Sequence, residues 1–277
     1  MTAIAVATSI VLPGVVNASL GNWSEGLNHN ITFGGELVQN DTGINWLWSV
    51  GGGFDAFTAP LSDLTADGKV LDIKIQQNMP LIASKMKEGS WHALTGFIPT
   101  VTLASFDDTP IVVDFTDKTH AQMSVKVKDE NASYIGNITI PFEYGASGTM
   151  QDRDGGVAYI ASVENGGAGT IFDGLVKPSD VASSAIALKW NGLTEQDVYN
   201  SMKIVGGNSI TGPGKVTAAT VNMRDLSHNH YTSNDIIRYF TYGSGITAGT
   251  TLHVTYNNPV TSYTKWSAPI KLTVTYR

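Results

Sequence analysis

The chain has 277 residues, of which 42% are hydrophobic and 15% are charged, and this length can bury a full core in one elaborated domain or two modest ones. A formal charge of −7 and the lack of any lysine or arginine cluster argue against a surface that follows phosphates, so nucleic acid is not expected as a partner. The absence of cysteine excludes disulfides, thiolate nucleophiles and zinc sites that need sulfur.

The first eighteen residues predict a secretory signal peptide. They carry no charge, include an apolar run, and end in Val16-Asn17-Ala18, a small-residue pattern typical of signal cleavage. A buried N-terminal strand is the alternative, because the usual basic start is missing. No later apolar stretch approaches the ~20 residues that cross a bilayer, so we expect a secreted protein.

The segment that follows, residues 19–43, contains an alternating strand pattern. One face carries Ile31, Phe33, Gly35 and Leu37. The segment has two interpretations: a hairpin with the next strand through a turn at 40–43, or a donor strand that completes the sheet of a neighbouring copy. The local pattern does not separate them.

Strand signals then recur at short intervals, each bounded by Gly, Asp, Asn or Pro. They lie at 44–50, 69–75, 80–86, 97–104, 123–128, 136–144, 249–256 and 270–276. In the last of these, Ile270, Leu272, Val274 and Tyr276 alternate with polar residues. This rhythm predicts an all-β sandwich.

Between about residues 145 and 242 the pattern changes, and we expect an inserted subdomain of loops and helices within the sandwich, residues 44–277. Thr194 with Asp197 predicts a helix start, and Ser233 predicts a second one before 234–240. Ile236, Ile237 and Phe240 would share one face of that second helix.

No catalytic constellation stands out, and we expect no catalytic residues, metal or cofactor. His228 and His230 could pair on a metal, but they lie in a polar segment. Residues 151–156 begin like a calcium loop yet lack its later glycine and closing glutamate, so a turn is favoured. The three glycines at 51–53 follow a strand and are interpreted as a flexible connection. No feature of the sequence singles out two carboxylates that would act together in glycoside hydrolysis.

Longer strings resemble the major-subunit adhesins of kappa-class chaperone-usher fimbriae, which are enterobacterial pilins. The strings are NITFGGEL (30–37), NWLWSVGGGFDAF (45–57), TIFDGLVKPSD (170–180), KWNGL (189–193) and KWSAPIKLTVTYR (265–277). One departure is that pilins often place a glycine about fourteen residues from the C-terminus, where this chain has Tyr-Thr-Lys at 263–265.

The resemblance implies an incomplete immunoglobulin-like β-sandwich that is completed by donor-strand exchange. Residues 19–43 would be the donor extension, and its apolar face at Ile31, Phe33, Gly35 and Leu37 would enter the next subunit. The receiving groove would run along Ile270, Leu272, Val274 and Tyr276. The implied partners are a periplasmic chaperone, an outer-membrane usher, identical subunits in a homopolymer at the cell surface, and host-cell glycans.

The resemblance also places receptor binding in the inserted region, where the sequence offers aromatic and polar side chains suited to sugars. The candidates are Phe172, Asp173, Arg153, Asp154, Trp190, Asn191, His228 and Tyr231. In the alternative interpretation, Phe172 and Trp190 anchor the insertion to the sandwich. We therefore expect a non-enzymatic fimbrial major subunit that binds glycans. A purely structural shaft pilin and a secreted carbohydrate-active enzyme are the alternatives.

Overall fold

A computed structural model describes most of the chain. The described residues are 28–31, 46–91, 98–153, 158–164, 169–212, 215–222 and 236–276. The predicted signal peptide at 1–18, the turn at 40–43 and the His228/His230 pair all lie outside these ranges. Among the described residues, no helix is both long enough and apolar enough to cross a membrane.

The described elements are mainly strands. In chain order they are β1 (Asn28–Ile31), β2 (Trp46–Val50), β3 (Val70–Lys74), β4 (Met79–Met86), β5 (Pro99–Ala104), β6 (Pro110–Ile111), β7 (Val113–Phe115), β8 (His120–Asp129), β9 (Tyr134–Asp152), β10 (Tyr159–Glu164), β11 (Val181–Ala182), α1 (Ser184–Asn191), α2 (Glu195–Gly206), β12 (Lys215–Asn222), β13 (Ile236–Ile246), β14 (Thr251–Tyr256), β15 (Trp266–Ser267) and β16 (Ile270–Tyr276). Single 3-10 turns occur at Leu61–Asp63 and Gly207–Ser209.

These strands form two sheets that share one hydrophobic core. The smaller sheet has the order β1-β16-β5-β6, and the larger follows β11-β10-β9-β13-β4-β2 with β12 beside β10. The first half of β9 also pairs with β14 and with β8. In turn, β14 pairs with β3, and β8 pairs with β7 and β15. The protein is therefore an all-β, immunoglobulin-like sandwich, which confirms the predicted fold class.

The strands predicted from alternation are confirmed. Each of the signals from 44–50 through 270–276 corresponds to a strand, with ends that differ by at most three residues, except that β9 continues eight residues beyond the predicted end at 144. In β8, for example, Ala121, Met123, Val125 and Val127 are buried while their neighbours are half-buried or exposed. The period of two is clear in β8 and β16 because one face of each of these strands packs on the core and the other is more exposed.

The helix predictions are half right. Thr194 caps α2 and forms a capping box with Asp197, in which each side chain binds the other residue's backbone N–H. The second predicted helix is wrong, because 236–246 is β13. This strand is hydrogen-bonded to β9 on one side and to β4 on the other, and it is buried on both faces. Its apolar run therefore fits a helical face and a central strand equally well, and strand pairing decided the outcome.

The inserted region continues the large sheet. The predicted boundaries at 145 and 242 lie inside β9 and β13, which pair with each other from Glu143–Gly245 to Asp152–Ile236. Within the described ranges, α1, α2, β10, β11 and β12 lie between these two strands in sequence. The hydrogen-bonded sheet thus runs from the sandwich into the inserted region without interruption.

Glycines in β9 and β13 allow α1 to lie directly on the sheet. A Cβ atom added to Gly243 would lie 2.5 Å from the carbonyl oxygen of Ala187 in α1. One added to Gly245 would overlap the indole ring of Trp190, and one added to Gly145 would overlap the carbonyl of Ser183. Because glycine has no side chain at these strand positions, the helix can approach the sheet closely.

This packing predicts the effect of one added methyl group. Gly243→Ala should lower the free energy of unfolding by about 1 to 3 kcal/mol, because α1 must move away from the sheet. The matched control is Gly52→Ala, since a Cβ there meets no atom within 4 Å. Urea denaturation of the purified subunits compares the two, and equal stability of both variants would contradict this packing.

Candidate strand-addition site and ligand surface

The closing strand β16 lies between two strands of the small sheet. Six consecutive residues pair antiparallel with β5, from Lys271–Ala104 to Tyr276–Pro99. On the other edge, β1 pairs antiparallel with β16, with Ile31 opposite Ile270 and Asn28 opposite Thr273. The N-terminal segment of the chain thus adds a strand to the edge of its own closing strand.

The predicted alternation in β16 is confirmed. Ile270, Leu272 and Val274 are 1%, 1% and 3% exposed, whereas Lys271 and Thr275 are exposed. The buried three belong to the common core of the two sheets. A strand added at this edge therefore completes both the backbone hydrogen bonds and the margin of the apolar core.

Tyr276 connects β16 to the opposite sheet. Its hydroxyl oxygen accepts a hydrogen bond of 3.2 Å from the indole Nε1–H of Trp48, which lies fully buried in β2. Burial raises the pKa of the Tyr276 phenol above its ordinary value, and the bond from Trp48 lowers it only in part. The phenol therefore stays neutral at physiological pH and can serve as the acceptor.

The described residues give no support to the hairpin interpretation. β1 pairs with β16, and β2 pairs with β4, so these two strands, which follow each other along the chain, belong to different sheets. Of the predicted donor residues, Ile31 lies in β1. Phe33, Gly35 and Leu37 lie outside the described ranges.

Phe172 is a core residue and offers no face to a sugar, which corrects the sequence prediction. It is fully buried, and its ring centre lies 5.8 Å from that of Trp46 and 5.6 Å from that of Tyr242. Its backbone φ of +64° is unusual for a bulky residue. These contacts join the 170–176 segment to both β2 and β13.

Trp190 and Asn191 are also buried, at 2% exposure each, so neither is available to a ligand. The indole Nε1–H of Trp190 donates to Glu143 Oε2 at 3.1 Å, and the Lys189 ammonium lies 2.6 Å from the same oxygen. Partial burial raises the pKa of Glu143, but the hydrogen bond and charge of Lys189 and the bond from Trp190 outweigh it and hold this pKa below its usual value. The carboxylate of Glu143 thus fastens α1 to β9.

Asp173 is half-buried and closes a turn. Its Oδ2 accepts the backbone N–H of Gly169 at 2.9 Å, and its carbonyl accepts the N–H of Val101 at 3.4 Å. Through this bridge the 170–176 segment is tied to β5 as well. The alternative interpretation, in which this region anchors the insertion, therefore describes Phe172 and Trp190 better than ligand binding does.

Arg153 is the one exposed residue among the glycan candidates that the structure describes. Its guanidinium lies over the ring of half-buried Trp91, with 4.8 Å between Cζ and the ring centre. Asp154, His228 and Tyr231 lie outside the described ranges. Within the described part of the chain, no three His, Asp or Glu side chains are placed to hold a metal ion.

Comparison with known proteins identifies the family. A family model described as "Fimbrial, major and minor subunit" matches residues 1–277. The chain belongs to this fimbrial subunit family. It is 33% identical to the F41 fimbrial protein of Escherichia coli over 281 residues, which covers all of this chain and 98% of that protein. The K88 fimbrial proteins AC and AB of Escherichia coli are each 26% identical over 292 residues, again across all of this chain and 98% of each relative.

Family membership determines the general role. The protein is a structural subunit of a fimbria, and it assembles with identical subunits at the cell surface after secretion. The family also points to a non-enzymatic protein, which disfavours the alternative of a secreted carbohydrate-active enzyme.

Two features of the site were missed by sequence analysis, although each left a signal. The Ser183 cap of α1 and the αL glycine at Gly192 mark the ends of a short helix. The glycines at 145, 243 and 245 interrupt strands, a sign that another backbone approaches closely. Read together, these signals predict a helix packed on a glycine-bearing sheet.

The bond between Tyr276 and Trp48 yields a stability prediction. Tyr276→Phe should lower the free energy of unfolding by about 1 to 3 kcal/mol, because it leaves the buried indole N–H without its acceptor. Tyr263→Phe is the matched control, since Tyr263 is 84% exposed and should tolerate the change. Both are measured by urea denaturation. If Tyr276→Phe were as stable as the parent, the bond would contribute nothing to the sandwich.

Proposed function

We propose that this subunit polymerises by donor-strand exchange, in which the N-terminal segment of one copy adds to β16 of the next. The observation that carries the proposal is the antiparallel pairing of β1 with β16 in the isolated chain. It supports the idea that the edge of β16 accepts a strand from this part of the sequence. In a fibre, the same edge would accept the strand of a neighbour.

The register within the chain differs from the one that exchange would favour. In the isolated chain, polar His29 lies opposite buried Leu272. If an incoming strand slides by six residues, Phe33 comes opposite Val274 and Leu37 opposite Ile270. An even shift keeps the same face toward the sheet.

The shifted register provides the driving force. It brings the apolar residues Ile31, Phe33 and Leu37 along the buried margin, where each would contribute ~1.5 to 3 kcal/mol on burial. Gly35 would come opposite Leu272, where a residue without a side chain allows close approach. Exchange would therefore replace a short polar strand with a longer apolar one.

The other proposed partners follow from the exposed edge. Before exchange, a subunit whose β16 edge is uncovered is prone to aggregate. A periplasmic chaperone would occupy the groove along Ile270, Leu272, Val274 and Tyr276, and an outer-membrane usher would arrange the exchange. Residues 1–18 would direct the chain into this route as a signal peptide.

Engineered cysteine pairs test the register, and the chain has no native cysteine to interfere. Lys271 is exposed on β16 and lies opposite Asn30 in the isolated chain. In the shifted register it would lie opposite Glu36 of the neighbour. Fimbriae with Glu36→Cys and Lys271→Cys should therefore give a reducible ladder of linked subunits on a denaturing gel.

The second pair, Asn30→Cys with Lys271→Cys, should give an internal disulfide in monomers and should reduce polymerisation. Lys271→Cys alone is the control for random linkage. A ladder from the Asn30 pair and none from the Glu36 pair would show that exchange keeps the register of the isolated chain. Exchange itself would be contradicted if both cysteine pairs formed disulfides only within single subunits while the fimbriae still assembled.

We also propose that the subunit acts as an adhesin for host glycans through the inserted region. Arg153 supports this, because it is exposed and its guanidinium is oriented by Trp91. An oriented guanidinium can donate to several sugar hydroxyls at once. Asp173, with one carboxylate oxygen bound to Gly169, is the second described candidate. A purely structural shaft pilin is the alternative.

The adhesin proposal predicts that Arg153→Ala weakens glycan or erythrocyte binding about fivefold or more, as expected from the loss of a charged hydrogen bond. Lys203→Ala is the matched control, because Lys203 is also an exposed cation over an aromatic ring, that of Tyr199 at 5.5 Å. Binding is compared at equal fimbrial abundance. If Arg153→Ala and Asp173→Ala both bind as strongly as the parent, the glycan site lies outside this surface. If the parent fimbriae bind no glycan, the shaft-pilin alternative remains.

A further inference from the structure

An open groove runs along the outer edge of the large sheet, beside β3. One wall is formed by the segment 55–64, the other by residues 256–266, and β3 with Gln76 forms the floor. The groove has a volume of about 960 Å³. We call it the β3 groove. It belongs to the sandwich and shares no residue with the inserted region.

Backbone hydrogen bonds fix the 256–266 wall of the β3 groove. The N–H of Val260 donates to the carbonyl of Gly68 at 2.9 Å, and the N–H of Tyr256 donates to that of Lys69 at 2.8 Å. At the far end of the same wall, Trp266 pairs with Asp129 of β8. This wall is therefore in place before any ligand arrives, which lowers the entropic cost of binding.

Aromatic side chains line the β3 groove at several depths. Tyr256 is 5% exposed at the base, Phe57 and Trp266 are half-buried against the core, and Tyr263 is 84% exposed on the rim. Because Tyr263 is so exposed, its phenol ring contributes little to the stability of the fold. It is, however, well suited to stack against the apolar face of a pyranose ring.

The polar groups of the β3 groove carry both signs of charge. The carboxylates are those of Asp55, Asp63 and Asp72, and the ammonium groups are those of Lys74 and Lys265. Such a mixture does not select a phosphate or a polyamine, because each would meet charge of its own sign. It offers the acceptors and donors that neutral hydroxyl groups require.

Asp72 is held in a defined orientation within this set. Its Oδ1 lies 2.7 Å from Nδ1 of His253 on the neighbouring strand β14. At the end of the floor, the Gln76 side chain donates to the carbonyl of Lys74 at 3.0 Å. Both polar groups are thus positioned by the sheet and do not depend on a ligand for their orientation.

We infer that the β3 groove binds a neutral oligosaccharide, with Tyr263 stacking on a sugar ring and Asp72 accepting hydrogen bonds from hydroxyl groups. This site is separate from the one proposed around Arg153. In a fimbria of identical subunits it would recur once per subunit, so weak binding at each copy would add up to firm attachment.

The test uses assembled fimbriae on an array of neutral glycans, followed by titration with the best binder. Tyr263→Ala should weaken binding to that glycan at least fivefold, Asp72→Asn should weaken it by a smaller factor, and Tyr263→Phe should preserve it. Tyr134→Ala is the matched control, because Tyr134 is an exposed tyrosine (46%) outside the groove. Electron microscopy should show normal fimbriae for all four variants.

Three results would overturn the proposal. The first is parental binding by both Tyr263→Ala and Asp72→Asn. The second is loss of all glycan binding in Arg153→Ala alone, which would leave the inserted region as the site. The third is a host glycoprotein whose binding requires Tyr263 but survives enzymatic removal of its glycans, which would make the occupant a peptide. None of these results affects the cysteine test of strand exchange.

Discussion

The edge of β16 is the constraint on which the rest of this protein depends. Backbone N–H and C=O groups at that edge lie beside the buried side chains of Ile270, Leu272 and Val274, and both features require a covering strand. In the isolated chain, β1 supplies four residues of pairing. A subunit built in this way is complete only when a strand lies there. This requirement agrees with membership of a family of fimbrial subunits.

The second organising feature is the long pair formed by β9 and β13. β9 has 19 residues and reaches from the β14 side of the sandwich into the inserted region, while β13 accompanies it through the second half. α1 lies on this pair over Gly243 and Gly245 and is fastened by Glu143. The inserted region is therefore joined to the sandwich by a continuous hydrogen-bonded sheet.

The fate of the glycan candidates shows the limit of reasoning from residue type. Phe172 and Trp190 are aromatic and lie in family-like strings, yet both are buried and hold the inserted region to the sandwich. Exposed aromatics such as Tyr263 occur in a different part of the fold. The sequence shows which side chains have the chemistry to bind a sugar, but burial decides which of them are exposed and available to a ligand.

The sequence by itself determined the strands with a period of two, the capping box at Thr194 and the closing strand, because these depend on neighbours a few residues apart. The likeness of its strings to pilins also determined the family. Only the tertiary structure decided that 236–246 is a strand, since an apolar run buried on both faces has no period to read. The same holds for the pairing of β1 with β16 and for the β3 groove. β1 and β16 lie about 240 residues apart in sequence, and the two sides of the groove about 190, and contacts over such separations follow from how the whole core packs.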